Sequence, residues 1–262
     1  MGADGAGDTP GEGSELTGID EARRRIAEAA RTGATVLDLG GLGLTEVPEE
    51  LYALGQLKRL YLGAAEGVRE KSYFALTQED KKKCNALKTL PSALLTSLPH
   101  LTHLYLERNQ LGLVPPQIGA LADLVTLDMS DNLISDDRAV AIASLRNLAS
   151  LNLSYNHIGM DGVRAIAQLR GLTSLDLQNN LIGDSCAKVL ATLVGLNALD
   201  LSRNQIGDNG AAALGKLARL TCLGLSDNLI GRDGVRFMAA QLSNLTALTL
   251  VNCPDFLGGG LF

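Results

Sequence analysis

Leucines recur along this chain in two rhythms at once. Over a short stretch they alternate with polar residues, as in Leu151-Asn152-Leu153, the period of a strand with one buried face. Over a longer distance the whole stretch returns. Leu148-Ala149-Ser150-Leu151-Asn152-Leu153-Ser154-Tyr155-Asn156-His157-Ile158 fits L-x-x-L-x-L-x-x-N-x-I/L, and its Asn156 has counterparts at Asn109, Asn132, Asn180, Asn204 and Asn228. The first spacing is 23 residues and the next four are 24. A fixed period of that length marks like units laid side by side. Their strands would form a parallel sheet with neighbours roughly 4.8 Å apart. Each Asn follows its strand at the turn, where the amide can both donate to and accept from the backbone. That role is structural, so the Asn column is left out of any functional site.

Counting outward from the clear copies predicts nine strands: Val36–Leu39, Leu60–Leu62, Leu104–Leu106, Leu127–Met129, Leu151–Leu153, Leu175–Leu177, Leu199–Leu201, Leu223–Leu225 and Leu248–Leu250. In the last unit Cys253 takes the Asn position, and in the first Leu42 does. On the far side of the early units, Pro48, Pro91 and Pro115 predict extended or single-turn segments. From the fourth unit, Ala/Leu-rich stretches predict helices, with Asp137, Asp161, Asp184 or Ser185, Asn209 and Asp233 as their capping residues. The expected fold is α/β: a horseshoe-shaped solenoid with a concave parallel sheet and short convex helices or extended segments. Residues 1–17, rich in Gly, Asp and Glu, are expected to be a disordered tail. Ile19, Ala22, Ile26 and Ala29 or Ala30 share one helical face, so residues 18–34 read as a capping helix for the array at 35–255, with 256–262 as a tail.

The second unit breaks the rhythm. After Leu60-Tyr61-Leu62 the asparagine is delayed to Asn85, which makes residues 64–84 an insertion at the junction of strand and turn. It carries Tyr73 and Phe74 and the basic run Lys81-Lys82-Lys83. Insertions in repeat arrays often map to the binding face, although a tolerated surface loop is the plain alternative. Between the strand leucines lie Asp38, Tyr61, Tyr105, Asp128, Asn152, Asp176, Asp200, Gly224 and Thr249, all on the concave face. Beside them run Arg108, Asp131, Tyr155, Asn179, Arg203 and Asp227, and His103 lies on the same face. Tyrosine buries much area with few torsions and is common in interface hot spots. The candidate contact residues are therefore Tyr61, His103, Tyr105, Arg108, Asp128, Asn152, Tyr155, Asp176, Asp200 and Arg203, with Tyr73 and Phe74 on the insertion. The aspartates favour a partner with a basic segment; equally, they keep an exposed sheet soluble.

Composition narrows the function. The hydrophobic share is 46% while aromatics are 3% and Trp is absent, as layered aliphatic stacking would produce. A net charge of −6 argues against nucleic-acid binding. Cys84, Cys186, Cys222 and Cys253 lie in different units without metal-ligand spacing. The acidic start has no signal-peptide core and no run spans a bilayer, so a cytoplasmic, non-membrane protein is expected. Gly210-Ala211-Ala212-Ala213-Leu214-Gly215-Lys216-Leu217 nearly spells a phosphate loop, but Leu217 stands where Ser or Thr must meet Mg²⁺. With no nucleophile–base pair in view, neither an enzyme nor a cofactor is expected.

Residues 35–255 resemble the leucine-rich repeat superfamily, on the strength of the in-register frame. The Ile206-Gly207-Asp208-Asn209-Gly210-Ala211 type of copy looks like bacterial repeats related to the ribonuclease-inhibitor type. The stretch from Arg25 to Leu39, continued by Gly41-Leu42-Gly43-Leu44-Thr45-Glu46-Val47-Pro48-Glu49-Glu50-Leu51, is similar to the start of repeat regions in Roco-type GTPases and other bacterial signalling proteins. The resemblance implies a protein-interaction scaffold, free-standing or as the sensory fragment of a larger signalling enzyme. Such a scaffold would be a monomer or a weak homodimer through its C-terminal edge.

Overall fold

The computed structural model describes residues 17–71 and 75–253. Nine three-residue strands form one parallel sheet in sequence order. They are β1 Val36–Asp38, β2 Arg59–Tyr61, β3 His103–Tyr105, β4 Thr126–Asp128, β5 Ser150–Asn152, β6 Ser174–Asp176, β7 Ala198–Asp200, β8 Cys222–Gly224 and β9 Ala247–Thr249. Each is centred on the first leucine of its pair, about one residue before the predicted span, and the leucines align without slippage from Leu37↔Leu60 to Leu223↔Leu248. A slip of one residue would turn every leucine outward. Under the sheet the core is Leu, Ile, Val and Ala with a few Met and Cys.

The asparagine ladder closes the turns. Asn156 Nδ2 donates to Leu153 O and Ser154 O of its own unit and to Met129 O of the preceding one, while its Oδ1 accepts from Ile134 N. Asn132, Asn180, Asn204 and Asn228 repeat the Nδ2 pattern. In the second unit Asn85 does the same work from beyond the insertion, donating to Leu39 O and Leu62 O and accepting from Leu42 N and Leu44 N. At the far end the Cys253 thiol donates to Leu225 O at 3.3 Å, the carbonyl an asparagine would have reached.

From the third unit onward the residue just before each ladder position is left-handed, with φ between 52° and 59° at Arg108, Asp131, Tyr155, Asn179, Arg203 and Asp227 and 58° at Asn252. This conformation is uncommon outside Gly, Asn and Asp. Here it keeps the amide directed at the next unit: Tyr155 N donates to Gln178 O and Arg203 N to Ser226 O. The sheet pairing is thereby prolonged past the strands.

On the convex side Pro48, Pro91 and Pro115 each stand immediately before a short helical segment: 3-10 turns at Glu49–Ala53 and Pro116–Ala120, and the α-helix at Ser92–Ser97. The residue before a helix is extended anyway, so proline costs nothing there. The fourth unit, expected to be α-helical, instead forms a 3-10 segment over Asp136–Ser144. Regular α-helices follow at Met160–Ile166, Asp184–Leu190, Asp208–Leu214 and Arg232–Ala239.

The predicted caps require correction. The N-cap residues of these four helices are Gly159, Gly183, Gly207 and Gly231, and none has a side chain to cap with. For three of the four, a carboxylate from the preceding unit supplies the bonds. Asp136 accepts from Gly159 N and Asp161 N, Asp184 from Gly207 N and Gly210 N, and Asp208 from Gly231 N. Capping therefore runs between repeats. Gly210 makes room for it, since a Cβ there would lie 2.5 Å from Asp184 Oδ1.

The N-terminal helix α1, Gly18–Thr32, is capped by Thr17 and closed by left-handed Gly33. It buries Ala22, Ile26 and Ala29 against the first unit. The remaining predicted tail residues lie outside the described residues.

Two stability predictions follow from the stacking. Asn156→Ala removes the partner of Ile134 N and of three carbonyls, and at roughly 1–3 kcal/mol per orphaned group should lower the unfolding free energy by about 3 kcal/mol or more in urea titration. Asp184→Ala, a loss of capping alone, should cost about 1 kcal/mol in the same measurement.

Candidate functional site

The insertion leaves and rejoins the array at a closed base. Ala64 and Cys84 form an antiparallel bridge, Ala65 N donates to Lys83 O, and Asn85 N donates to Gly63 O. Between them, among the described residues, stand the short helices α2 Glu66–Arg69 and α3 Gln78–Lys82, the latter fixed by a Thr77–Asp80 capping box. The predicted contact residues Tyr73 and Phe74 lie outside the described residues.

The first helix folds back over the sheet. Arg69 donates from Nη2 to Asp38 Oδ1 at 2.6 Å and from Nε to Ala64 O, and its guanidinium carbon lies 4.2 Å from the Tyr61 ring centroid. Arg108 reaches the insertion from the other side, donating to the carbonyls of Val68 and Lys71. Two predicted contact residues, Tyr61 and Arg108, thus hold the insertion down.

Beyond them the concave face opens as a cleft of about 530 Å³ bounded by insertion and sheet. The structure brings Tyr61, Tyr105, Arg108, Asp128, Asn152 and Tyr155 to its walls. Tyr61 and Tyr105, in register on β2 and β3, stack with centroids 4.4 Å apart and planes 4° from parallel. His103 stands beside them, bonded through Nδ1 to Thr102 Oγ1 and 6.5 Å from the Tyr105 ring. Asp176 and Asp200 belong to a second, shallower recess floored by Ala198, Cys222, Gly224 and Ala247. Arg203 lies on the left-handed column, its Nε 3.3 Å from Asp227.

The aspartate column has a structural duty as well. Asp38, Asp128, Asp176 and Asp200 each accept through Oδ1 from the backbone amide two residues on, and Asn152 does the same. Such Asx turns bend the chain out of each strand. One oxygen of each carboxylate is therefore committed, and at Asp128 the second accepts from Asn152 Nδ2 at 3.1 Å.

Glu107 was missed by the sequence reading. It occupies the position filled by Ser130, Ser154, Ser202 and Ser226 in later units, and in the preceding unit Gly63 stands there, where a Cβ would lie 2.5 Å from the Glu107 carboxyl carbon. A large acid beside a glycine in a serine column is a signal visible in the sequence. Its Oε1 accepts from Ala64 N at 3.1 Å and lies 3.5 Å from Arg69 Nε, whereas its Oε2 is buried with no hydrogen-bond partner. Burial, reinforced by the charge of Asp128, pushes its carboxyl up to about 7. Burial also raises Asp176 to about 7, with Asp200 and Asp128 adding to the shift.

Family models described as leucine rich repeat match residues 100–121, 144–167 and 170–230. An internalin C2 from Listeria monocytogenes strain 4b F2365 superposes with a TM-score of 0.69 at 26% identity, over 88% of this chain and 92% of that one. This is a leucine-rich repeat protein. A second internalin (inlF) from the same strain, at 23% identity and a TM-score of 0.60, shares the fold over 87% of this chain and 64% of its own length. These matches carry the repeat architecture and lend no support to the likeness with Roco-type proteins. Among the described residues of this repeat protein no helix is long and apolar enough to cross a membrane, and no group of His, Cys, Asp and Glu is arranged to hold a metal.

The raised carboxyls make stability pH-dependent. Glu107 binds its proton more tightly folded than unfolded, so its contribution is complete below pH 4.5 and lost as pH rises through about 7. Between pH 5 and 8 the wild-type protein should lose on the order of 3 kcal/mol more stability than Glu107→Gln, judged from urea midpoints across that range. Parallel curves for the two proteins would contradict the assignment.

Proposed function

We propose that this repeat protein is a non-catalytic protein-interaction module whose partner docks on the concave face against the repeat-two insertion. The observation that carries the reading is the cleft itself, where the insertion walls one side and Tyr105, Asp128, Asn152 and Tyr155 line another. A sheet curved along its stacking direction offers a wide, rigid surface, and rings held by stacking lose little entropy on binding. The excess of acid on the strand column, with Asp128, Asp176 and Asp200 in one row, favours a partner segment that is basic. Cys84, Cys186, Cys222 and Cys253 are all unpaired, which fits a reducing, cytoplasmic setting.

The test is a triple variant, Tyr105→Ala with Asp128→Asn and Asp176→Asn, in which both asparagines can keep their Asx turns. Affinity capture from the source organism's lysate should retain at least one protein with the wild type and lose it, by about 30-fold, with the variant, while thermal unfolding shifts by only a few degrees. Equal recovery of every captured protein by the two baits would refute the concave-face reading.

A further inference from the structure

The root of the insertion is built around a carboxylate. Glu107 leaves the turn after β3 and reaches back over Gly63, where a Cβ would lie 2.6 Å from its Oε2. Its Oε1 accepts there from Ala64 N, the first amide of the insertion, at 3.1 Å. Arg69 crosses the unit before in the same way, over Gly40, where a Cβ would lie 2.6 Å from its Nη2. Glycines in two adjacent units thus clear the floor on which α2 lies down. Arg108 holds the helix from its other side, through the Val68 and Lys71 carbonyls.

This seat suits a neutral Glu107 better than an ionised one. Arg69 stands 3.5 Å away, but its Nε donates to Ala64 O and its Nη2 to Asp38, so its bonds are made elsewhere. The Glu107 side chain is 6% exposed and its Oε2 has no hydrogen-bond partner. From the sheet and its turns it meets Tyr105, Arg108, Asp128 and Asp131, and of these Asp128 adds repulsion to the burial. From the insertion come Arg69, the Cys84 thiol, and Glu66, Glu70 and Lys71 along the same cleft. Lys71 is already paired with Asp80. A buried carboxylate oxygen without a donor is costly, and raising α2 and Arg69 off the sheet would admit water to it.

We propose that Glu107 is a proton-operated latch for the insertion. Protonated, it lets α2 and Arg69 rest against the sheet; ionised, it favours the lifted state, in which water solvates both oxygens. The wall of the cleft therefore closes in mild acid and loosens in mild base. Linkage fixes this direction. The docked carboxyl, raised to about 7, holds its proton more tightly than an ordinary one near 4.5, so docking weakens as pH rises through 7. Any consequence for partner binding rests on the concave-face reading, whereas the latch itself does not.

Amide hydrogen exchange of the full chain, followed by NMR at pH 5 and pH 8 and corrected for the intrinsic effect of pH, reads the lifted fraction. The amides to follow are Ala64, bonded to Glu107, and Val68 and Arg69, bonded to Ala65 O. Their protection should fall roughly 70-fold between the two pH values in the wild type, and less than about threefold in Glu107→Gln. Urea at about 1 M should leave these rates unchanged, because lifting one helical turn exposes little surface and global unfolding exposes much. Where Glu107→Gln does not fold, Asp128→Asn takes its place: with the repelling charge gone, the fall should shrink and its midpoint move to lower pH. A wild-type change below about threefold, an equal fall in the variant, or exchange accelerated by urea would overturn the latch. The protein alone is measured, so such a failure leaves the capture experiment to decide the concave-face reading separately.

Discussion

Each ladder asparagine satisfies backbone groups belonging to two different repeats, and the rest of the molecule depends on that double attachment. Asn204, for example, donates to Leu201 O and Ser202 O in its own turn and to Leu177 O in the unit before, and accepts from Ile182 N. A turn buried inside a stack has no water to satisfy it, so an unpaired amide or carbonyl there is expensive. The amide fixes each turn's shape and its spacing from the next together. Aliphatic burial then adds favourable energy unit by unit, without long-range pairing.

The constraint also explains how the array tolerates a long insertion. What the second unit needs is an asparagine at the turn, whatever the path of the chain before it. Asn85 supplies one because the Ala64–Cys84 bridge brings the chain back to its point of departure. The insertion is thereby free to vary in content, and here it contributes Arg69 to the concave face and receives Arg108 from it. Loops carried on a rigid scaffold in this way are where recognition tends to concentrate.

The repeat frame made strand number, order, register and the concave columns legible, because a two-residue alternation inside a 24-residue period admits one stacking arrangement. Contacts between repeats were not read, although they too leave a trace. Asp136, Asp184 and Asp208 each reach the next unit's helix, and 26 residues after each stands a glycine: Gly162, Gly210 and Gly234. Where Met160 replaces the aspartate, Cys186 replaces the glycine. Each cap and its glycine lie in different units, as do Glu107 and Gly63, so neither pairing shows within a single repeat. The fold of the insertion over the sheet had no periodic signal at all, since it depends on Arg69 and Arg108 meeting partners 31 and 40 residues away.

Stacking also imposes a division of labour along the concave face. Every outward position is repeated at strand spacing, so a residue type placed in neighbouring units becomes a strip rather than a point. Rings at Tyr61 and Tyr105 become a stack, and small residues at Ala198, Cys222, Gly224 and Ala247 become a smooth floor. Aspartates in adjacent units become a ladder of like charges whose mutual repulsion raises Asp176 beyond what burial alone does. A cation entering the groove relieves that repulsion, while the same cation on an isolated aspartate would gain only a screened surface pair. Repetition thus concentrates in one strip a negative charge that a single repeat presents only weakly.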